Sequence, residues 1–456
     1  MIKLFCLRGF LCYKTSMDLE QHHTFRVALC DLNGQMRGKR VPGSYAGKLA
    51  SGAVRMPLSV SNLDITGADI EDSPLVFASG DADGILRPTE RGIVPVPWLS
   101  GDQMMVPMSM YNDDGTAFSG DPRHALVDVL ARFSACGWSV IAATELEFTL
   151  VDDTGDDALL PIKNPQTGRR LDTSEILSMQ QLDAFDPFLT ALYEGCIAMG
   201  IPAQTATSEG GAGQFEITLH HQDALRAADD TWLFKSLIKG LARQHGFAAT
   251  FMAKPFPEDA GNGMHVHFSV LDSDGKNIFN DGSAHGSDML RHAVAGCLAA
   301  MPASTLIFAP HANSYARLVP GAHAPTAAVW GYENRTAAIR IPGGALVARR
   351  IEHRVAGGDI NPYLMFAVVL GAAINGIDNA RPPADPITGN AYEAKGAPQL
   401  AADWNHAIDL FETSPEIARI FPAQLIENLV MTKRQERDKM AEIPARQQWK
   451  IYLDTA

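Results

Sequence analysis

Apolar and polar residues alternate in four short runs of this chain, and the alternation predicts strands with one apolar and one charged face. In TELEFTL, Glu145 and Glu147 stand two apart while Leu146 and Phe148 point the other way. GMHVHFSV does the same with His265 and His267 against Val266 and Phe268, and RIEHRV sets Glu352 and Arg354 opposite Ile351 and His353. SEGGAGQFEITL supplies Glu209 before a Gly-rich turn and Glu216 inside the next strand. Upstream, TFRVALCDLNGQMRGKRVPG (residues 24 to 43) reads as a strand, an Asn33-Gly34 turn and a return strand.

The period changes at Asp121. DPRHALVDVLARFSACGW carries apolar residues at helical spacing, opened by Asp121 as cap and Pro122 as first helical position. From there helices are predicted at 181–200, 223–246, 286–301, 360–378 and 403–442, between strands at 138–150, 214–220, 264–271, 335–341 and 350–356. Before it, Gly- and Pro-punctuated text with runs such as GIVPVPW and QMMVPMSM predicts β structure and little helix. The pattern describes an α+β chain: a small β-rich domain at 17–118 and a larger one at 119–456, with no long linker and no internal repeat. The stretch MIKLFCLRGFLCYKTS (1–16) has its apolar run broken by Lys3, Arg8 and Lys14, and no small-residue cleavage site follows. It reads as an extra leader or a misassigned start, with Met17 as the natural first residue.

Composition narrows the partners. Among 456 residues, acidic side chains outnumber basic ones 52 to 38, giving a formal net charge of -14. Nucleic-acid binding needs clustered cations, so that balance argues against it. No run reaches the roughly 18 to 20 apolar residues of a membrane span. The six cysteines form no CxxC pair, which argues against a disulfide framework or zinc finger and suits a reducing cytoplasm.

Each polar pair has an ordinary explanation on its own: an ExE is usually a solvated strand face, and an HxH a satisfied pair. Their conjunction says more. Glu145, Glu147, Glu209, Glu216 and Glu352 facing one cavity would be costly unless cations neutralised them. Hard oxygen ligands with an imidazole suit Mg²⁺ or Mn²⁺ better than zinc. Arg317, Arg335, Arg340 and Arg354 follow within 38 residues, and arginines facing metals form a clamp for phosphate and carboxylate. With no nucleophile motif, metals and arginines point to phosphoryl transfer from a nucleotide.

TELEF, EGGAGQFEI, NGMHVHFS, NSYARLVPG, ENRTAAIRIP and RIEHRVAGGDINPYL occur in the order and spacing of the glutamine synthetase superfamily. The resemblance runs from about residue 24 to the end. Within the superfamily, CDLNGQMRGKRVP, GDADGILRP, FMAKPFP and WGYENRT look most like the γ-glutamylpolyamine (glutamate–putrescine) synthetases. It implies a β-grasp N-terminal domain, a catalytic domain built round a funnel of antiparallel strands flanked by helices, and two stacked rings, commonly of six subunits, with active sites between neighbours. It implies ATP and two or three Mg²⁺ (or Mn²⁺): Glu147, Glu209 and Glu216 would hold one metal, and Glu145, His265 and Glu352 another. His267 and Ser269 would sit by the nucleotide, with Arg335 and Arg340 on its phosphates. Arg317 and Gly261 would bind glutamate, and Arg354 the transferring phosphoryl group and glutamate. Asp64 would reach a neighbour's amine site. The implied reaction joins glutamate to a polyamine through γ-glutamyl phosphate; ammonia, a monoamine or ethanolamine is the alternative acceptor, and a non-catalytic sensing member the remote one.

Two departures bear on the acceptor. Ammonia-using members carry a flap glutamate in Pro-Gly-x-Glu-Ala-Pro, whereas Pro320 to Pro325 read PGAHAP here, with His323 in its place. His323 would act as a base toward a protonated alkylamine or simply fill the flap, and the sequence leaves both open. The residue before Gly261 and Asn262 is Ala260, where the family uses an asparagine against glutamate. Tyr392, in GNAYEA, falls near the loop tyrosine that some bacterial members adenylylate, but its surroundings match poorly and it reads as a surface residue.

Overall fold

The computed structural model describes residues 19–155, 157–173, 175–319, 321–322 and 324–456. The leader at 1–16 and His323 lie outside them.

The first hairpin forms as its alternation requires, β1 (Thr24–Cys30) antiparallel to β2 (Met36–Pro42). Its turn is wider than the Asn-Gly pair alone. The Asp31 carboxylate accepts from the backbone N–H groups of Asn33 at 2.9 Å and Gln35 at 2.8 Å, and Gly34 takes φ 81°, a conformation that favours glycine. With β3 (Arg55–Pro57), β4 (Asp83–Pro88), β5 (Val94–Pro95) and β6 (Met104–Tyr111), the sheet runs β2-β1-β6-β4-β3, and β5 pairs with β6. Only β1 and β6 are parallel. The two-residue period of β1 divides its side chains between two cores. Phe25, Val27 and Leu29 pack under the small sheet, while Ala28 and Cys30 enter the core of the large domain.

The large sheet is built on the long β7 (Ser139–Asp152), with β8 (Leu160–Pro161), β9 (Ala203–Ser208), β10 (Gln214–Asp223), β11 (Ala248–Thr250), β12 (Met264–Leu271), β13 (Trp330–Tyr332), β14 (Ile339–Ile341) and β15 (Ile351–His353). Its order is β13-β14-β15-β12-β7-β10-β9, with β8 and β11 also on β7. Every pairing but β13–β14 is antiparallel. The apolar helix Pro362–Asn379 packs between the helices Asp288–Ala300 and Pro122–Ala135. The first approach is so close that a Cβ on Gly296 would stand 2.1 Å from the Ala372 carbonyl oxygen.

Some boundaries move. The predicted helix at 403–442 is three, Trp404–Thr413, Pro415–Ala418 and Ala423–Glu442, because Pro415 and Pro422 cannot donate within a continuous helix and Ser414 caps the second piece. The helix at 181–200 divides into Met179–Ala184 and Asp186–Met199. The strand at 335–341 shrinks to Ile339–Ile341. Arg335 stands in a turn instead, where Asn334 Oδ1 accepts from the Thr336 N–H at 3.0 Å. Among the described residues no helix is long and apolar enough to cross a membrane.

Candidate active site

Strand register turns the separate polar pairs into one ledge. On β7, Glu145 is opposite Thr218 of β10 and His265 of β12, and Glu147 is opposite Glu216 of β10. On the other side of β12, His267 is opposite Glu352 of β15, which is itself opposite Arg340 of β14. Directly opposed residues share a sheet face, so the ledge crosses five strands while Leu146, Phe148, Val266 and Phe268 bury the other face.

The atoms are close. His265 Nδ1 lies 3.0 Å from Glu145 Oε2. His267 Nε2 lies 3.0 Å from Oε1 of the same carboxylate, but it is too poorly aligned for a good hydrogen bond and is buried without another partner among the described residues. Two groups bring three ligand atoms within 4.8 Å of one another: Glu145, Glu216 and His265, and Glu145, His267 and Glu352. This grouping differs from the one the resemblance implied. Glu145 belongs to both sets, His267 joins one of them, and Glu147 and Glu209 stand outside. Glu147 Oε2 instead accepts from the Gly263 N–H at 2.5 Å and from Gln214 Nε2 at 3.3 Å, and Glu209 accepts from Thr207 Oγ1 at 3.0 Å.

Electrostatics separates the carboxylates. Burial, followed by repulsion from Glu145, Glu147 and Glu209, pushes Glu216 up to about 9. Glu209 is raised by burial and then by Glu147. Burial works against ionisation of Glu145 as well, but the close approach of both His265 and His267 outweighs it and holds its pKa well below the carboxylate range. Glu352 is likewise lowered, its burial overcome chiefly by Arg354 and the two imidazoles. An imidazole nitrogen without a partner beside carboxylates that repel one another is a donor set that fits divalent cations.

Arginines flank the ledge. Arg340 Nη1 donates to Glu352 Oε2 at 2.9 Å, and Arg354 Nη1 donates to the other oxygen; the Nε of each is buried without a partner among the described residues. Arg317 is buried and donates to the Val355 carbonyl at 2.8 Å. Arg335 is exposed, and its charge reaches Glu209. Gly261 offers its carbonyl to Gln214 Nε2 at 3.0 Å. A cavity of about 400 Å³ opens beside the ledge, lined in part by Glu145, His267, Ser269, His221, Val347 and Arg350. Ser269 Oγ donates to the Arg349 carbonyl at 2.9 Å.

Two expectations change. Asp64 is fully buried and engaged within its own chain: Oδ1 accepts from Thr66 and Ala68, and Oδ2 from Gln435 Nε2 at 2.9 Å and Lys439 Nζ. That leaves no carboxylate to extend toward a neighbour, because the DxT turn (Asp64 to Thr66) and the C-terminal helix have taken it. Tyr392 is half-buried, and its phenol is close enough to Arg354 and Arg317 to feel their charges, so it is no ordinary surface residue. Gln214 and Arg350, which the polar pattern did not single out, also belong here. Arg350 Nε donates to His267 Nδ1 at 3.3 Å, a contact prefigured only by the double arginine next to IEHR.

Comparison with known proteins identifies the chain as an ATP-dependent ligase. A model of the glutamine synthetase catalytic domain matches residues 119–452, so the chain belongs to the glutamine synthetase family. The gamma-glutamylputrescine synthetase PuuA of Escherichia coli K12 is 38% identical over 378 residues, 82% of this chain and 79% of that protein. The gamma-glutamylethanolamide synthetase GlnA4 of Streptomyces coelicolor is 33% identical over 79% of this chain and 76% of its own length. A glutamate–isopropylamine ligase of a Pseudomonas species is 32% identical over 91% and 92%. Among solved structures, a GmaS/ADP complex superposes with TM-score 0.82 at 26% identity, covering 96% of this chain and 99% of its own.

Proposed function

We propose that this protein is a γ-glutamyl-amine ligase that joins glutamate to a polyamine of the putrescine or spermidine class, in polyamine catabolism. The observation that carries the chemistry is the five-strand ledge in which Glu145 meets both His265 and His267 while Glu352 meets Arg340 and Arg354. The choice of acceptor rests on the 38% identity to a γ-glutamylputrescine synthetase and on the polyamine-type motifs of the sequence.

Glu145, Glu147, Glu209, Glu216, His265 and Glu352 would hold two or three Mg²⁺ or Mn²⁺, with His267 at their edge. When bound, the cations neutralise triphosphate charge and polarise the transferring phosphoryl group. The remaining steps belong to the chain and its substrates. ATP would lie in the cavity by His267 and Ser269, with Arg335 and Arg340 against its phosphates. Arg317, Arg354 and the Gly261 backbone would hold glutamate so that its γ-carboxylate oxygen attacks the γ-phosphorus; the bond to the β,γ-bridging oxygen breaks and ADP leaves. The amine nitrogen then attacks the acyl carbon of γ-glutamyl phosphate, loses a proton and expels phosphate. Excluding water protects that acyl phosphate from hydrolysis. A cytoplasmic enzyme assembled in stacked rings completes the reading, and sedimentation analysis would test the assembly.

The deciding experiment is phosphate release with ATP, Mg²⁺ and glutamate across ammonia, methylamine, ethanolamine, putrescine, cadaverine, spermidine and spermine. Turnover led by the di- and polyamines supports the proposal. Turnover led by ammonia or a monoamine overturns the acceptor while keeping the ligase, and no turnover with any amine overturns both.

A further inference from the structure

The arginine read above as a glutamate ligand sits at the end of a single 3-10 turn, Ala312–Ala316, which is too short to hold itself in place. Its support comes from outside. The Arg317 N–H donates to the Ser314 carbonyl at 3.1 Å, and Ser314 Oγ donates to Asp359 Oδ2 at 2.5 Å, tying the turn to the loop that follows Arg354. Asn313 exchanges two 2.8 Å hydrogen bonds with the Lys254 backbone. At the start of the turn, His311 Nδ1 donates to Glu436 Oε1 at 2.7 Å, and Lys433 Nζ donates to Glu436 Oε2 at 2.8 Å and to Asn33 Oδ1 at 2.7 Å. Tyr452 OH donates to Glu436 Oε1 at 3.1 Å and accepts from the Ala312 N–H at 3.4 Å.

His311, Lys433, Glu436 and Tyr452 are each at most 1% exposed. Replacing a buried ion cluster with apolar side chains is often neutral or stabilising, so stability alone is a poor reason to keep one. What this cluster does specify is geometry. It joins the first hairpin turn at Asn33, the helix Ala423–Glu442 and the last helix to the turn that carries Arg317. Lowering of the Glu436 pKa by Lys433 and His311 against the cost of burial agrees with a fully formed charge network.

We infer that the buried His311–Glu436–Lys433 cluster, with Tyr452, is a positioning device for Arg317 and so sets the affinity for glutamate from outside the site. The inference rests on the reading of Arg317 as a glutamate ligand.

The test compares Glu436→Gln, Tyr452→Phe and Arg317→Lys by separate KM values for glutamate, ATP and amine, together with kcat and thermal midpoints. A displaced guanidinium predicts glutamate KM raised on the order of ten-fold in Glu436→Gln and two- to three-fold in Tyr452→Phe, with ATP KM within about two-fold of wild type. A merely structural cluster would lower the thermal midpoint or active fraction without this split. A glutamate KM that stays put in folded variants, or that rises no more than the ATP KM, overturns the inference. If Glu436→Gln does not fold, Tyr452→Phe, which removes only a hydroxyl, decides by the same criterion. Arg317→Lys separates the two failures: if its own glutamate KM is unchanged, the reading of Arg317 is at fault. If its KM rises while those of the cluster variants do not, the positioning inference alone falls.

Discussion

Glu145 and His265 occupy directly opposed positions on β7 and β12, and His265 Nδ1 sits 3.0 Å from the Glu145 carboxylate. Because His267 reaches the other oxygen of that carboxylate, Glu145 is the joint between the two candidate cation groups. Its removal is expected to weaken both at once. Glu145→Ala should lower Mn²⁺ affinity and kcat each by at least about 100-fold while leaving ADP binding measurable. Mn²⁺ titration by electron paramagnetic resonance with parallel phosphate-release assays checks this. Wild-type-like Mn²⁺ binding would remove Glu145 from the cation site.

Glu216 gives a pH signature in the cation-free protein. Its carboxyl titrates near 4.5 in the unfolded chain but at about 9 in the fold, so between those values the folded state holds the extra proton. The stability present below about 4.5 is therefore lost as pH rises toward 9. In EDTA, the thermal midpoint should fall from about pH 5 to about pH 9. Glu216→Gln should flatten that slope, and Mg²⁺ should reverse it by binding the ionised form. An unchanged slope in Glu216→Gln would count against the assignment.

Gly263 is a spatial constraint on Arg317. A Cβ there would meet Arg317 Nη2 at 2.6 Å and Glu147 Oε2 at 3.4 Å. The backbone of Gly263 is not in the left-handed region, so Gly263→Ala should fold and act by pushing the guanidinium aside. Glutamate KM should rise about ten-fold, with stability altered by no more than about 1 kcal/mol. Steady-state kinetics beside a thermal melt reads both. Normal glutamate KM would mean that Arg317 yields freely and that its position in this structure is not the binding one.

Asp64 should behave as an anchor. Burial opposes its ionisation, but Lys439, Gln435, Thr66 and the Ala68 N–H bring its pKa down to about 2. Its contribution to stability is present above about 4 and is lost as pH falls toward 2. Since Lys439 is partly exposed, Asp64→Asn is expected to cost about 1 to 2 kcal/mol, with amine selectivity unchanged. Altered selectivity at full stability would return Asp64 to the acceptor site.

How far the site could be read from the chain depended on whether its parts were local. Two-residue spacing was enough to put Glu145 with Glu147, and His265 with His267, on common faces. Nothing local could reveal that His267 would stand opposite Glu352, because that pairing joins strands 85 residues apart and is set by register. The same limit hid the His311–Glu436–Lys433 cluster, whose lysine and glutamate read as ordinary polar positions on a C-terminal helix. For Arg335 the reason is smaller: the apolar text around it predicts a strand, but the Asn334 side chain makes a turn there. Pro415 and Pro422 are visible breaks in the predicted 403–442 helix, and there the proline rule outweighs the apolar period.

In the proposed reaction, His323 is the residue whose part in acceptor choice is open to test. It stands where ammonia-using members of the family have a flap glutamate, a carboxylate that would attract ammonium. His323→Glu is expected to shift the ratio of kcat/KM for ammonia over putrescine upward by about ten-fold, mainly by gaining ammonia turnover. Its two open roles separate by pH. A base toward a protonated alkylamine would give putrescine turnover an acidic limb near 6.5, the unperturbed imidazole value, and His323→Gln would abolish that limb and lower kcat. A residue that only fills the flap would leave the profile's shape intact in His323→Gln, while uncoupled ATP hydrolysis would increase because water reaches the acyl phosphate. Measuring putrescine-dependent product formation and phosphate release together across pH 5 to about 9 distinguishes the two. If ammonia use, pH profile and coupling all match wild type in both variants, His323 has no part in acceptor choice.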